Sequence, residues 1–320
     1  MHLEPIGDYT IRLDAITKPP YVTPETQIKL PCVCVAVARM ESGKSTSVRS
    51  VLMDLRKSNF LDRLFVISPT CKSSINEKIF AGLADPDDLY EDATYQSIDH
   101  IVEKIKEEER LWKEYLENMK IYKIIQKYIK EDKPISDWNE QILLAGHTYN
   151  LFDTEPESKY GGHHPRLHLW CDDIQNSQLM TPSTKNKFLQ LVTKHRHVGP
   201  VSIWSSTQSF SGPGSLPRVL RQMMTHCMIW APSDKKKKEQ IAEELSNNID
   251  SDTFLAALKL ACPPDDPHSF LFVDMCPKKP DMQFRKNMDQ KIIIDATDIS
   301  EKNSKEKRKG KNGSDFIADN

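Results

Sequence analysis

Residues 38–45 read Ala38-Arg-Met-Glu-Ser-Gly-Lys-Ser45, and the text on either side decides how they fold. Cys32-Val-Cys-Val-Ala-Val-Ala38 runs into them, short, apolar and β-branched, the composition of a strand buried on both faces. Beyond them Val48, Val51, Leu52 and Leu55 recur at helical spacing. Strand, tight turn, Gly-Lys-Ser and helix is the context that a phosphate-binding loop requires. In that context the N–H groups of the turn and the positive end of the helix dipole face an anion. Ala38, Arg39, Met40, Glu41, Ser42, Gly43, Lys44, Ser45 and Thr46 are therefore the candidate nucleotide-binding residues. Lys44 is expected to reach the β- and γ-phosphates of a nucleotide, and the Ser45 hydroxyl to ligate Mg²⁺. The pattern G-x-x-x-x-G-K-[ST] opens on glycine, whereas Ala38 stands in that place; alanine reaches positive φ less cheaply. A Gly-Lys-Ser triplet also arises by chance at a helix start, so the rest of the chain has to decide.

Size and composition narrow the classes. The 320 residues can bury one large core or two modest ones, and 28% charged with 38% hydrophobic residues is ordinary for a soluble globular protein. A net charge of -2 is no global nucleic-acid signature, so any DNA contact must come from local patches. No apolar stretch approaches the ~18 residues of a membrane span, and the first residues lack a signal-peptide pattern. The seven cysteines are odd in number and scattered, which reads as buried reduced thiols and fits cytosol or nucleus.

The spacing predicts three regions: an extended, proline-bearing lead-in over 1–28, one α/β domain over 29–295, and a basic disordered tail over 296–320. Further strands are expected at Leu61–Pro69, Arg166–Asp173, Pro200–Gln208 and Thr225–Ala231, with a helix over Lys185–His197. Alternating strands and helices imply a mostly parallel sheet with helices on both faces. His268–Met275 and Met282–Arg285 stand close enough to form a C-terminal β-hairpin. Over about 96–133, Ile98, Ile101, Ile105, Trp112, Tyr115, Met119, Tyr122 and Ile129 follow an a/d-like spacing that Glu108 and Gln126 break. This is a helical insertion, packed on its own domain or offered to a partner.

A phosphate-binding loop needs a carboxylate at a neighbouring strand end to hold Mg²⁺, and Asp172 supplies it. Asp173 stands where many strand-inserted ATPases carry the glutamate that polarises the attacking water; it is one methylene shorter. Adjacent acids after a strand also serve as helix N-caps. Ser206-Thr-Gln208 ends the next strand, and in ATPases with an extra strand between the phosphate-loop strand and the Asp strand such a polar residue senses the γ-phosphate. The same tripeptide is also turn chemistry. The Asn-Lys-x-Asp of GTPases does not occur.

Lys194-His-Arg-His197 with Gly199, then the Ser202–Gln208 strand, Arg218 and Arg221, and Met228-Ile-Trp-Ala-Pro-Ser-Asp234 resemble the FtsK–HerA superfamily of P-loop ATPases. Phe270-Leu-Phe-Val-Asp274 followed by Phe284-Arg-Lys-Asn287 is similar to the C-terminal signature of one clade in it. That clade holds the genome-packaging ATPases of poxviruses, other large eukaryotic DNA viruses and the related Polinton-like transposons. The resemblance covers roughly residues 30–295. It implies a strand-inserted (ASCE, RecA-like) fold and a homo-oligomeric ring that translocates double-stranded DNA with ATP and Mg²⁺ during virion assembly. A capsid or portal component is then a partner, no membrane is, and the virion is a further location. Residue by residue it implies Lys44 and Ser45 as the Walker A pair, Asp172 and Asp173 as the Walker B acids and Gln208 as the sensor. Arg196 matches the position of the arginine finger that enters a neighbouring subunit's site; without the resemblance it reads as a cation favoured at a helix C-terminus.

For DNA, Lys235–Lys238 open an expected helix with four cations where the dipole prefers acids, either a phosphate contact or a solvated face. Lys302, Lys305, Lys307, Arg308, Lys309 and Lys311 make the tail a second electrostatic candidate, as a phosphate contact or a nuclear-import signal. No base-reading motif is present, so binding is expected to follow the backbone. The rivals are another translocase or helicase of the superfamily, or a nucleotide-binding scaffold that hydrolyses poorly.

Overall fold

The computed structural model describes residues 28–293 apart from 73–79, 81, 213, 247–249, 278 and 280–281, so the lead-in and the basic tail lie outside it. Nine strands form one sheet in the order β3-β2-β4-β5-β1-β6-β7-β8-β9. Their ranges are β1 Val33–Val37, β2 Arg63–Ile67, β3 Leu89–Tyr90, β4 Leu167–Cys171, β5 Val201–Thr207, β6 His226–Ile229, β7 Leu271–Asp274, β8 Phe284–Lys286 and β9 Gln290–Lys291. From β3 across to β6 every pairing is parallel. The pairings of β6 with β7, β7 with β8 and β8 with β9 are antiparallel. The expected hairpin is therefore β7–β8, and it is welded to the parallel sheet through β6.

Strand periodicity explains the two cores. Val33, Val35 and Val37 share one cluster with Phe65, Leu169 and Ile203. Cys34, Ala36 and Ala38 share the other with Val66, Trp170 and Trp204. Alternate side chains point to opposite faces, and both faces are covered, so β1 reads as an unbroken apolar run. Helix α1 (Lys44–Lys57) packs Val48, Leu52 and Leu55 on the second face. On the first face lie α2 (Tyr95–Lys130), α4 (Lys187–Val198), α5 (Arg218–Met223), α6 (Lys235–Leu245) and α7 (Ser251–Ala261). The two buried indoles are polar-satisfied: Trp170 Nε1 donates to Ser206 Oγ at 3.1 Å, and Trp204 Nε1 to His168 Nδ1 at 3.0 Å.

Helix α2 is 36 residues long, about 54 Å at the α-helical rise. Thr94 caps its start by accepting from the Ser97 N–H. Ile98, Ile101 and Ile105 join the sheet core, and the C-terminal half packs against α3 (Glu140–Thr148) and the segment after it. Both breaks in its apolar stripe have a reason. Glu108 is buried, its Oε1 accepting from Arg63 Nη1 and Lys159 Nζ at 2.5 Å each. Gln126 Nε2 donates to the Phe152 carbonyl at 3.3 Å. These two polar residues bind α2 to the chain that leads into β4. No helix of the described residues is long and apolar enough to cross a membrane.

Candidate nucleotide site

Strand order decides what meets at the sheet's carboxyl edge. β5 lies between β1 and β4, with Val37 beside Thr207 and Ser205 beside Cys171. The ends of β1, β5 and β4 are thus adjacent, and ligands of open α/β sheets bind outside such ends. They open on a cleft of about 470 Å³ lined by Lys44, Ser45, Asp172, Asp173, Gln208 and the turn before them.

The turn is built for close approach. Gly43 sits at φ 86 and Glu41 at φ 63, both left-handed. No side chain caps the start of α1, and the first intrahelical bond runs from the Ser47 N–H to the Gly43 carbonyl at 2.8 Å. The preceding N–H groups are the orphan donors of a helix start, aimed where the dipole is positive. Ala38 keeps a negative φ, is buried, and donates its N–H to the Thr207 carbonyl at 3.1 Å. The backbone therefore asks no positive φ of Ala38; the left-handed positions of the turn are Glu41 and Gly43.

Ser45 Oγ donates to Asp172 Oδ2 at 2.8 Å across 127 residues of sequence. The other carboxylate oxygen, Asp172 Oδ1, is buried without a hydrogen-bond partner among the described residues. Burial pushes the Asp172 carboxyl above the ordinary value, opposed by the Lys44 charge and the Ser45 hydroxyl. A desolvated carboxylate with an open oxygen and a serine hydroxyl on its other oxygen is a donor set that fits a divalent cation. An acid whose folded pKa is raised costs stability as pH climbs above its ordinary value of 3.8. Asp172→Asn keeps the oxygen that Ser45 needs and removes the buried charge. Its melting midpoint without nucleotide at pH 8 should rise by a few degrees, and Mg²⁺ with ATP should no longer raise it further. A lower midpoint would show that the charge is not a burden to the fold.

Asp173 is exposed and left-handed at φ 52, a conformation acidic residues tolerate better than most and one that clusters at functional sites. Gln208 Nε2 donates to Asp173 Oδ1 at 3.3 Å, so the glutamine and the second acid are in contact. The N-cap alternative for these acids does not hold: α4 starts at Lys187, and its cap is Asn186, which accepts from the N–H groups of Phe188 and Leu189 at 2.9 and 3.2 Å. Ser-Thr-Gln does make turn contacts, Thr207 Oγ1 accepting from the Ser209 N–H at 3.5 Å. Gln175 Oε1 accepts from the Gln208 N–H at 3.1 Å and holds it toward the cleft.

Arg196 is not with these groups. It is exposed near the C-terminus of α4, ahead of β5, and its charge bears on Cys32 at the start of β1. That is the sheet edge opposite the cleft, about 20 Å away at the strand rise. Arg221 is also elsewhere, donating to the Leu216 carbonyl and pairing with Glu244 at 2.8 Å. Lys235, Lys236 and Lys237 are exposed on the first turn of α6, where Asp234 caps by accepting from the Lys236 N–H. Gln175, Thr70 and His268 reach the site without having been marked by the sequence. Each lies in a loop with no recognisable spacing to the motif residues.

No protein-family model matches the chain, and no curated protein matches it. Among solved structures it is similar to the genome packaging NTPase B204 from Sulfolobus turreted icosahedral virus 2 in complex with AMP. The identity is 12% and the TM-score 0.45, over 83% of this chain and 100% of that one. It is similar to EssC (ATPases 2 and 3) from Geobacillus thermodenitrificans at 11% identity and TM-score 0.42, over 90% and 45% of the two chains. The cytoplasmic domain of the Thermomonospora curvata Type VII secretion ATPase EccC gives 12% and 0.38, over 78% and 24%. Likeness at this level carries no functional argument, and the reading below rests on the cleft.

Proposed function

We propose that the chain is an ATPase that moves double-stranded DNA, a genome-packaging motor of a virus or virus-like transposon. The observation that carries it is the convergence at one cleft of a Gly-Lys-Ser turn, an acid bonded to that serine, and a second acid bonded to Gln208. Lys44 and the orphan N–H groups of the turn bind the triphosphate. Ser45 and Asp172 hold Mg²⁺, which when bound neutralises charge on the phosphates. Asp173 takes the proton of the attacking water, and Gln208 aligns that carboxylate and reports whether the γ-phosphate is in place. The ordered series of motifs that resembles the packaging clade supports the choice of duplex DNA as the substrate moved.

In this reading the active form is a homo-oligomeric ring. Arg196 lies far from its own cleft, so its part is in trans, stabilising charge on the phosphoryl group in the next subunit. The lysines of α6 contact the DNA backbone without reading bases, and a capsid or portal component receives the ring. The protein works in the host cytoplasm or nucleus, or in the virion.

The test is phosphate release with and without linear duplex DNA, over a series of salt concentrations. Stimulation by duplex that falls steeply with salt supports the motor, because each phosphate neutralised releases counterions. ATP binding without turnover on any DNA would make the chain a scaffold. Release of a labelled strand from a forked duplex would make it a helicase.

A further inference from the structure

One residue at the cleft, His268, comes from the β6–β7 side of β1. His268 stands just before β7, and its Nδ1 lies 3.2 Å from the Ser42 carbonyl. The ring packs on the turn so closely that a Cβ at Gly43 would meet Nδ1 at 3.3 Å. The residue is fixed from behind: Trp230 Nε1, at the end of β6, donates to the His268 carbonyl at 3.0 Å, and Trp230 itself packs on Phe270 with ring centroids 4.6 Å apart. A carbonyl only accepts, so Nδ1 carries the hydrogen of that contact, and Nε2 of the neutral ring is then an acceptor. His268 lines the cleft, and Nε2 makes no hydrogen bond among the described residues.

Strand order says which end of a nucleotide this acceptor meets. The Mg²⁺ acid and the Gln208–Asp173 pair sit on β4 and β5, to one side of β1. β6 and β7 lie on the other side. A triphosphate gripped by the turn after β1, with its γ end toward β4 and β5, leaves its nucleoside toward β6 and β7. We propose that His268 is the nucleoside-binding residue of the cleft, its Nε2 accepting a hydrogen bond from an N–H or O–H donor of the nucleoside. The donor is the ribose 2′-hydroxyl or the 6-amino group of adenine. This inference rests on the nucleotide reading above and adds to it the group that distinguishes a nucleotide from bare polyphosphate.

The experiment measures dissociation constants of the full chain and of His268→Ala and His268→Gln for ATP, inosine triphosphate, 2′-deoxy-ATP and inorganic triphosphate. His268→Ala should weaken ATP about fivefold to tenfold, the worth of one hydrogen bond, and leave inorganic triphosphate unchanged. His268→Gln, which keeps an acceptor, should recover part of the loss. A loss on ATP that vanishes with inosine triphosphate names the amine as donor, and one that vanishes with 2′-deoxy-ATP names the hydroxyl. Equal losses on ATP and inorganic triphosphate would overturn the proposal, because His268 would then only anchor the turn through Ser42. A loss that ignores both nucleoside changes, or no loss on ATP, overturns it as well. If the unaltered chain binds none of the four, the nucleotide site itself fails, a result separable from all the others.

Discussion

Lys44→Ala should lower ATP turnover by about 10²–10³-fold, the usual cost of removing one preorganised charge from a phosphoryl-transfer site. The side chain is 8% exposed, held beside Asp172 where its charge counters the burial of that carboxylate. Truncation thus withdraws the cation from the phosphates and from the acid together. Core residues of α1 such as Leu52 are untouched, so far-UV circular dichroism should match the parent chain. Malachite-green phosphate release on purified protein reads the rate. A turnover within threefold of the parent would remove the Gly-Lys-Ser turn from the chemistry.

Asp173→Asn should leave ATP affinity near the parent value and lower the rate of a single turnover by about 10²–10⁴-fold, the range for loss of a general base. The asparagine keeps an oxygen for Gln208 Nε2, now 3.3 Å from Asp173 Oδ1, so the geometry of the pair survives while proton acceptance does not. The two acids are separable in this way. Asp172 is buried and tied to Ser45, the position proposed for the metal, whereas Asp173 is exposed at φ 52 and faces the open cleft. Rapid-quench measurement with fluorescent-ATP titration distinguishes binding from chemistry. A parallel loss of affinity would assign Asp173 to the metal.

Much of this site was legible because its signals are local. A β-branched run, a glycine turn and a helical repeat lie within a few tens of residues, from Cys32 to Leu55, and each is a matter of period and turn chemistry. Asp172, Asp173 and Gln208 were legible because they stand within two residues of the ends of the buried strands β4 and β5. The two-residue strands β3 and β9 left no period to read. Helix α7 went unmarked although Asp250 caps it and Phe254, Ala257, Leu258 and Ala261 form its buried stripe. Glu108 broke the stripe of α2 for a reason that only its partners reveal, since Arg63 and Lys159 come from 45 and 51 residues away.

What the chain's own text determined is which residues stand at strand ends and that a Gly-Lys-Ser turn opens α1, because backbone conformation answers to near neighbours. What only the folded sheet decided is the order of the strands. Placing β5 between β1 and β4 brings Ser45 to Asp172 over 127 positions, and adding β7 beside β6 brings His268 to Ser42 over 226. Those approaches depend on burying both sheet faces at once, a cooperative gain that no local window contains.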